Sequence, residues 1–360
     1  MGYFVQMPKT DPFFTNNLIS WYLQYKRELP WRKTRDPYLI WLSEIILQQT
    51  RVAQGLPYYL KFIETYPTVK DLAFAPEADV LKLWQGLGYY SRARNLLATA
   101  KIVTDELNGI FPNNYKDLLK LKGVGDYTAS AISSICFNEL QAVVDGNVYR
   151  VLSRVFGITI PINSSLGQKE FKTLAQQLLD KTQPGTFNQA IMEFGARYCI
   201  PQNPDCENCI FKNNCYAFKH KLVSELPVKI KAKPVKKRYF NYLVIISNNQ
   251  RTLLNQRLGK GIWHKLFEFP LIETFNDVDF EQLKTHSKFQ EVVRNLNIES
   301  TVLYNDKPIT HKLSHQHIST RFWVIETSEE KDDFISISEI EKYAVPVLIE
   351  NFVSEFFENY

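Results

Sequence analysis

Leu118-Leu119-Lys120-Leu121-Lys122-Gly123-Val124-Gly125-Asp126-Tyr127-Thr128-Ala129 is the stretch whose reading decides the fold. Leucines lead into it, and Ala129, Ile132, Ile135 and Cys136 recur at helical spacing beyond it. It therefore reads as helix, tight glycine turn, helix. The two glycines let backbone N–H groups approach a phosphate at the start of the second helix, where the helix dipole is positive. Gly-x-Gly by itself marks a plain turn. The leucines before it and Tyr127-Thr128-Ala129 after it give it weight.

Outward from that turn, residues from about Asp11 to Ala217 are almost all helical. Apolar residues recur at helical spacing in Leu39–Ile46, Ala93–Val103 and Phe171–Leu179, and Pro or Gly punctuates them. After Tyr239 the period changes to that of strands: Tyr239–Ser247, Thr252–Gln256, His264–Phe269 and Ser319–Glu326. Helices are expected near Asp279–Leu296 and Val347–Phe357. The fold class is a mostly α N-terminal part followed by a small α+β domain. In a chain of 360 residues, 45% hydrophobic and 22% charged, this is ordinary globular composition, which excludes disorder and fibre.

The net charge of +5 hides an asymmetry. Residues 1–220 carry 24 Lys+Arg against 19 Asp+Glu, residues 221–240 carry 7 against 1, and residues 241–360 carry 12 against 18. Residues 221–238, with Pro227 and Pro234 among their lysines, read as an extended basic linker, either a tether or a strand held against phosphate. The longest nearly apolar stretch, Tyr38–Leu47, is interrupted by Ser43 and Glu44, so no membrane span is expected. Met1–Pro8 lacks the pattern of a secretory leader, which points to the cytoplasm.

Of five cysteines, Cys199, Cys206, Cys209 and Cys215 fall within seventeen residues, as C-x6-C-x2-C-x5-C. Four clustered thiolates repel unless a cation holds them, so the candidates are a tetrathiolate zinc ion and an iron–sulfur cluster. Zinc sites pair two C-x2-C knuckles, and only one occurs here. The spacing resembles the 4Fe–4S loop of the endonuclease III and MutY DNA glycosylases, and since the hydrolysis of a base needs no electron transfer, the cluster reads as structural. Cys136, on an apolar helix face, reads as a buried thiol.

Two carboxylates stand out. Asp145, in Asp145-Gly146-Asn147-Val148, precedes a helical pattern. It is either a plain N-cap or an anion held at a helix N-terminus, able to stabilise an oxocarbenium ion on deoxyribose. Glu44 sits in the apolar Trp41–Leu47 helix. It lies either on an exposed stripe, or buried with a raised pKa that suits a general acid.

With Leu29-Pro30-Trp31-Arg32, Ser43-Glu44, Gln48-Gln49-Thr50 and Gly86-Leu87-Gly88-Tyr89-Tyr90-Ser91-Arg92, these motifs run in order over about residues 29–215. Together they resemble the MutY family of adenine glycosylases in the helix–hairpin–helix superfamily. Lyase members carry a Lys two residues after the second hairpin glycine. Here that residue is Tyr127, and a phenol forms no imine. The resemblance thus implies a monofunctional hydrolase acting on adenine opposite 8-oxoguanine or guanine in duplex DNA. Glu44 would protonate the flipped adenine, Asp145 would stabilise the sugar cation, and Tyr127 would lie between them. The resemblance further places Trp31, Arg32 and Gln189 around the adenine. Gln49 and Tyr89 would enter the duplex, and Gly123 and Gly125 would meet its backbone. It implies a helix–hairpin–helix module over about 28–137 and an iron–sulfur subdomain over about 138–220 with the N-terminal helix. Together these make up a 1–220 helical part. A monomer associated with a bacterial nucleoid is the expected state.

Residues 239–360 resemble the Nudix-like domain of the same family through Gly261-Ile262-Trp263 and Phe267-Glu268-Phe269-Pro270. Between Pro270 and Ile298 the sequence carries no Arg-Glu-x-x-Glu-Glu cluster, so pyrophosphatase activity is not expected. Leu313-Ser314-His315 aligns with the family's Phe-Ser-His loop, implied to read 8-oxoguanine, with Ser314 donating to the lesion. Leu313 in place of Phe stacks less well, which implies weaker discrimination from guanine.

Overall fold

The computed structural model describes residues 11–231 and 234–357. Met1–Pro8 and Lys233 of the basic segment lie outside the described residues. The chain divides into two compact units, Met1–Phe74 with Asn95–Lys231, and Ala75–Arg94 with Ala232–Tyr360.

The first unit is helical. Its central helix, Pro184–Arg197, packs against Pro12–Tyr25, Asp126–Phe137 and Gly146–Phe156. Gly195 allows one of these approaches: a Cβ there would lie 2.7 Å from Asn147 Cβ and 2.9 Å from Asn147 O. Pro37–Ile46 begins where the Asp36 carboxylate accepts from Tyr38 N, with Pro37 in its first turn. Eight of its ten residues are buried, Ser43 and Glu44 among them. The Glu44 alternatives are thereby resolved toward burial.

The glycine turn lies between the one-turn helix Tyr115–Leu118 and Asp126–Phe137. Leu118, Leu121 and Val124 are buried beneath it. Gly123 takes φ +78°, and a Cβ there would stand 2.8 Å from Asn95 Cβ, so both backbone and packing require glycine.

The basic segment is not a free tether. Its first half is bound to the helical unit: Arg154 Nε donates to Leu226 O (3.1 Å), and Ile162 N donates to Val228 O (3.0 Å). The Leu226–Pro227 peptide is cis. Lys236, Lys237 and Arg238 begin the long strand Lys236–Ser247, where the two lysines stay exposed and Arg238 pairs with Glu273 (2.6 Å).

That strand pairs in parallel with Gln316–Thr327, from Lys236↔Gln316 to Ser247↔Thr327. Both faces of the pair are covered, so its residues are apolar in near-continuous runs. Tyr242, Phe322 and Phe352 of the Val347–Phe357 helix stack on one face, with Phe322 to Phe352 at 4.1 Å. Leu243, Ile245, Trp323 and Ile325 meet Leu283 and Phe289 on the other. Short antiparallel strands Leu271–Thr274, Ile298–Leu303 and Ile309–Lys312 flank the pair.

Several expectations are corrected. The helix expected over Asp279–Leu296 is two short ones, Phe280–Lys284 and Ser287–Val292, since His286 caps the second by accepting from Lys288 N. The strand expected over His264–Phe269 shrinks to Phe267–Glu268, because Trp263 and Lys265 take φ +58° and +66°. The strand expected over Thr252–Gln256 is two bridges, Arg251–Thr252 and Asn255–Gln256. Residues 75–94, read as part of the 1–220 helical part, group with the sheet unit. Glu77 pairs with Lys265 (2.6 Å), Gln85 Oε1 accepts from Val345 N (3.1 Å), and Arg94 donates to His264 O (2.9 Å).

Candidate active site

A cleft of about 1140 Å³ in the helical unit is lined by Glu44, Tyr127 and Asp145, with Gln48, Gln49, Gly123, Gly125, Asn147 and Arg150 around them. The two carboxylates differ in their surroundings, Glu44 being buried and Asp145 half-buried. Glu44 has apolar neighbours in its own helix, and burial pushes its pKa up to about 7. Asp145 raises it further, while a hydrogen bond from Tyr127 and the charge of Arg32 oppose the rise. Tyr127 is half-buried on the cleft wall, and its phenol is held well above the usual range, by desolvation first and then by both carboxylates. Its hydroxyl also lies 3.1 Å from Met192 Sδ.

Asp145 caps Gly146–Phe156. Its Oδ1 accepts from Asn147 N (2.9 Å) and Val148 N (2.8 Å), and its Oδ2 accepts from Asn147 Nδ2 (2.8 Å). Burial raises its pKa, and these donors with Arg150 pull it back down. Arg150 in turn donates to Asn147 Oδ1 (2.9 Å), Gly195 O (2.6 Å) and Cys199 O (2.7 Å). Asp145 is thus a cap and also a carboxylate facing the cleft.

Arg32 and Gln189 line a separate cavity of about 410 Å³ in the same unit. Gln189 Oε1 accepts from Tyr22 Oη (2.5 Å), and the Arg32 guanidinium lies over the Tyr22 ring (5.4 Å). Trp31 is buried edge-on to Tyr59 (5.0 Å). Sequence reasoning missed Glu193, which is buried and binds both Arg27 (2.5 Å) and Arg32 (2.8 Å). These charges hold its carboxyl near 2 against the opposing effect of burial. One signal was available: Glu193 follows Gln189 by four residues, on the same helix face. Arg27, which lines the main cleft, had no such signal.

The four clustered cysteines gather around the Gly146–Phe156 helix end, and no disulfide links them. Arg154 Nη1 donates to Cys199 Sγ (3.5 Å), Phe211 N donates to Cys209 Sγ (3.4 Å), and Cys215 Sγ donates to Arg154 O (3.4 Å). Each of the other three thiols acts electrostatically on Cys209. Among the described residues, no group of three or more His, Cys, Asp or Glu is arranged to hold a single ion. Lys212 of this loop pairs with Glu207 (2.6 Å).

Residues 42–178 match the model of the HhH-GPD superfamily of base excision DNA repair proteins, and residues 241–355 match a NUDIX domain. The adenine DNA glycosylase of Buchnera aphidicola (Baizongia pistaciae) is 36% identical over 318 residues, 88% of this chain and 87% of that protein. The chain belongs to the adenine DNA glycosylase family. The rat family member is 48% identical over 213 residues, which cover 57% of this chain but only 41% of that longer protein. A solved thermostable thymine-DNA glycosylase is 32% identical, with a TM-score of 0.54, over 57% of this chain and 95% of that one. A solved endonuclease III–DNA complex, 23% identical with a TM-score of 0.51 over 58% of this chain and 95% of that one, shares the fold.

In this glycosylase chain the sheet unit has a cavity of its own, about 500 Å³, lined by Tyr89, Tyr90, Trp263, Leu313, Ser314 and His315. Leu313–Gln316 forms a turn, closed by Leu313 N to Gln316 O (2.9 Å). Gly86 and Gly88, with φ +94° and +71°, carry Tyr89 (φ +46°) to that turn, where its hydroxyl bonds Ser314 Oγ. Tyr89 and Ser314, distant in sequence, therefore share one wall. Gln49 instead belongs to the cleft of the helical unit. His311 lies tilted against Trp263 (5.6 Å) and is half-buried, and this desolvation lowers its pKa. No described helix is long and apolar enough to cross a membrane.

Proposed function

We propose that this chain excises adenine paired with 8-oxoguanine or guanine in duplex DNA by hydrolysis of the N-glycosidic bond. The observation that carries this reading is one cleft in which buried Glu44 and hydrogen-bonded Asp145 flank Tyr127, with the hairpin glycines at the rim. Adenine must leave the stack before its glycosidic bond is accessible. Glu44, protonated near neutral pH, donates to the departing base. Asp145 stabilises the positive charge left on the sugar. Arg32, whose charge reaches Glu44, and Gln189 line the second cavity, which on this reading receives the flipped base, and Glu193 and Tyr22 brace them. No side-chain amine stands at position 127, so the sugar is attacked by water and no Schiff base forms. In the sheet unit, the aromatic cavity beside Ser314 suits a planar oxidised base.

The test is base release from duplexes with A opposite 8-oxoguanine, G or C, and with T opposite G. Adenine release from the first two is expected, with strand breaks only after alkali. Thymine release would overturn the substrate assignment, and breaks without alkali would overturn the hydrolytic mechanism.

The donor set of Cys199, Cys206, Cys209 and Cys215 fits a 4Fe–4S cluster, which binds one thiolate at each corner. The thiols must therefore be neighbours without converging on a point. Bound there, the cluster supplies a fixed cross-link for the loop. Protein purified without oxygen should absorb broadly in the visible range, and Cys206→Ala should lose that absorption. A colourless protein containing only zinc would refute the assignment.

A further inference from the structure

Glu268 is a buried acid that the cleft chemistry does not use. Its carboxylate takes Arg257 Nη1 at 2.6 Å, with side chains only 17% and 8% exposed. Tyr242 Oη, deep in the sheet, donates to its other oxygen at 3.0 Å. The same guanidinium donates through Nε to Ile262 O (3.0 Å). The Arg257 backbone closes both sides of the loop: its N–H donates to Leu266 O (2.8 Å), and its O accepts from Lys265 N (2.7 Å). Between them Trp263 and Lys265 take the left-handed region (φ +58° and +66°), and Gly261 takes φ +130°. Such backbone persists only where its surroundings over-determine it. Ile262 and Trp263 line the 500 Å³ cavity together with Leu313 and Ser314.

We propose that the Arg257–Glu268 pair is a positioning pair that holds the 258–265 loop against this cavity and so sets the discrimination between 8-oxoguanine and guanine. The inference rests on the reading of that cavity as the lesion site. A buried ion pair is seldom worth more to stability than apolar residues of the same size. Its particular use here is geometric: the planar fork of Arg257 reaches the carboxylate and the Ile262 carbonyl together. A single ammonium lacks that geometry. The loop is then rigid when a base arrives, and Trp263 needs no ordering on binding.

The experiment uses the full chain and duplexes whose adenosine is made uncleavable by a 2′-fluorine, opposite 8-oxoguanine or guanine. Binding to each is measured for wild type, Arg257→Lys and the apolar double variant Arg257→Met with Glu268→Leu. Single-turnover adenine release opposite guanine, at saturating enzyme, is measured alongside. The wild type should favour 8-oxoguanine. Both variants should lose about tenfold of that ratio, the cost of loosening one such wall, while release opposite guanine stays within twofold. The double variant removes both charges together, so the test does not depend on Arg257→Lys folding well. An unchanged ratio, or an equal loss on both duplexes together with slower release, overturns the positioning role. A wild-type chain with no preference instead overturns the lesion reading on which the proposal rests.

Discussion

Asp145→Asn will lower single-turnover adenine release by on the order of 10³-fold, while binding to the mispaired duplex and the melting temperature change little. The variant keeps the shape. An amide oxygen still accepts from Asn147 N and Val148 N, so the Gly146–Phe156 helix keeps its cap. The negative charge is lost, and with it the Oδ2 acceptor for Asn147 Nδ2. A unit charge about 4 Å from a developing cation, at an effective dielectric of about 20, is worth roughly 4 kcal/mol. That corresponds to about three powers of ten in rate. Because the donors around Asp145 are already oriented, no reorganisation cost offsets the effect. Release within tenfold of wild type would mean that Asp145 is merely a cap.

The same residue shows how much the sequence reveals. The cap and the helix after it follow from Asp145-Gly146-Asn147-Val148 and the periodicity of Val148, Val151 and Leu152. So do the glycine turn and the two long strands, since local pattern and burial agree there, whereas their parallel pairing does not. Burial of Glu44 was not legible. A Glu between Ser43 and Ile45 fits an exposed stripe as well as a covered one, until the helices packed around it are known. Glu193 escaped because its role depends on Arg27 and Arg32, more than 160 positions away. The grouping of residues 75–94 with the sheet unit escaped for the same reason. Its ties are single long-range contacts such as Glu77–Lys265, which leave no period in the sequence. The short strands Leu271–Thr274 and Ile309–Lys312 are too brief for alternation to register.

Glu44→Gln tests the other half of the site through two measurements that move in opposite directions. As a general acid, Glu44 contributes a factor of about 10²–10⁴, so the variant should lose that much adenine release. Wild-type release should fall as pH rises through about 7, where the carboxyl gives up its proton. In the variant that limb should vanish, since the amide has nothing to titrate. Stability goes the other way. The folded pKa lies above the unfolded one, so the folded state binds more protons between them. The associated stability is fully present below about 4.5 and is lost as pH rises through about 7. Each pH unit of that interval is worth about 1.4 kcal/mol, so an ionised Glu44 costs the fold roughly 3 kcal/mol at pH 8. Gln carries no such cost and still accepts from Tyr127. Urea unfolding should therefore find the variant more stable than wild type by about that amount at pH 8, with the gap closing by pH 4. An inactive variant with no gain at pH 8 would mean that Glu44 is solvated and ionised at ordinary cost. The acid role would then need a different proton donor. A gain at pH 8 with full activity would mean instead that the buried acid is a structural burden unconnected to the departure of the base.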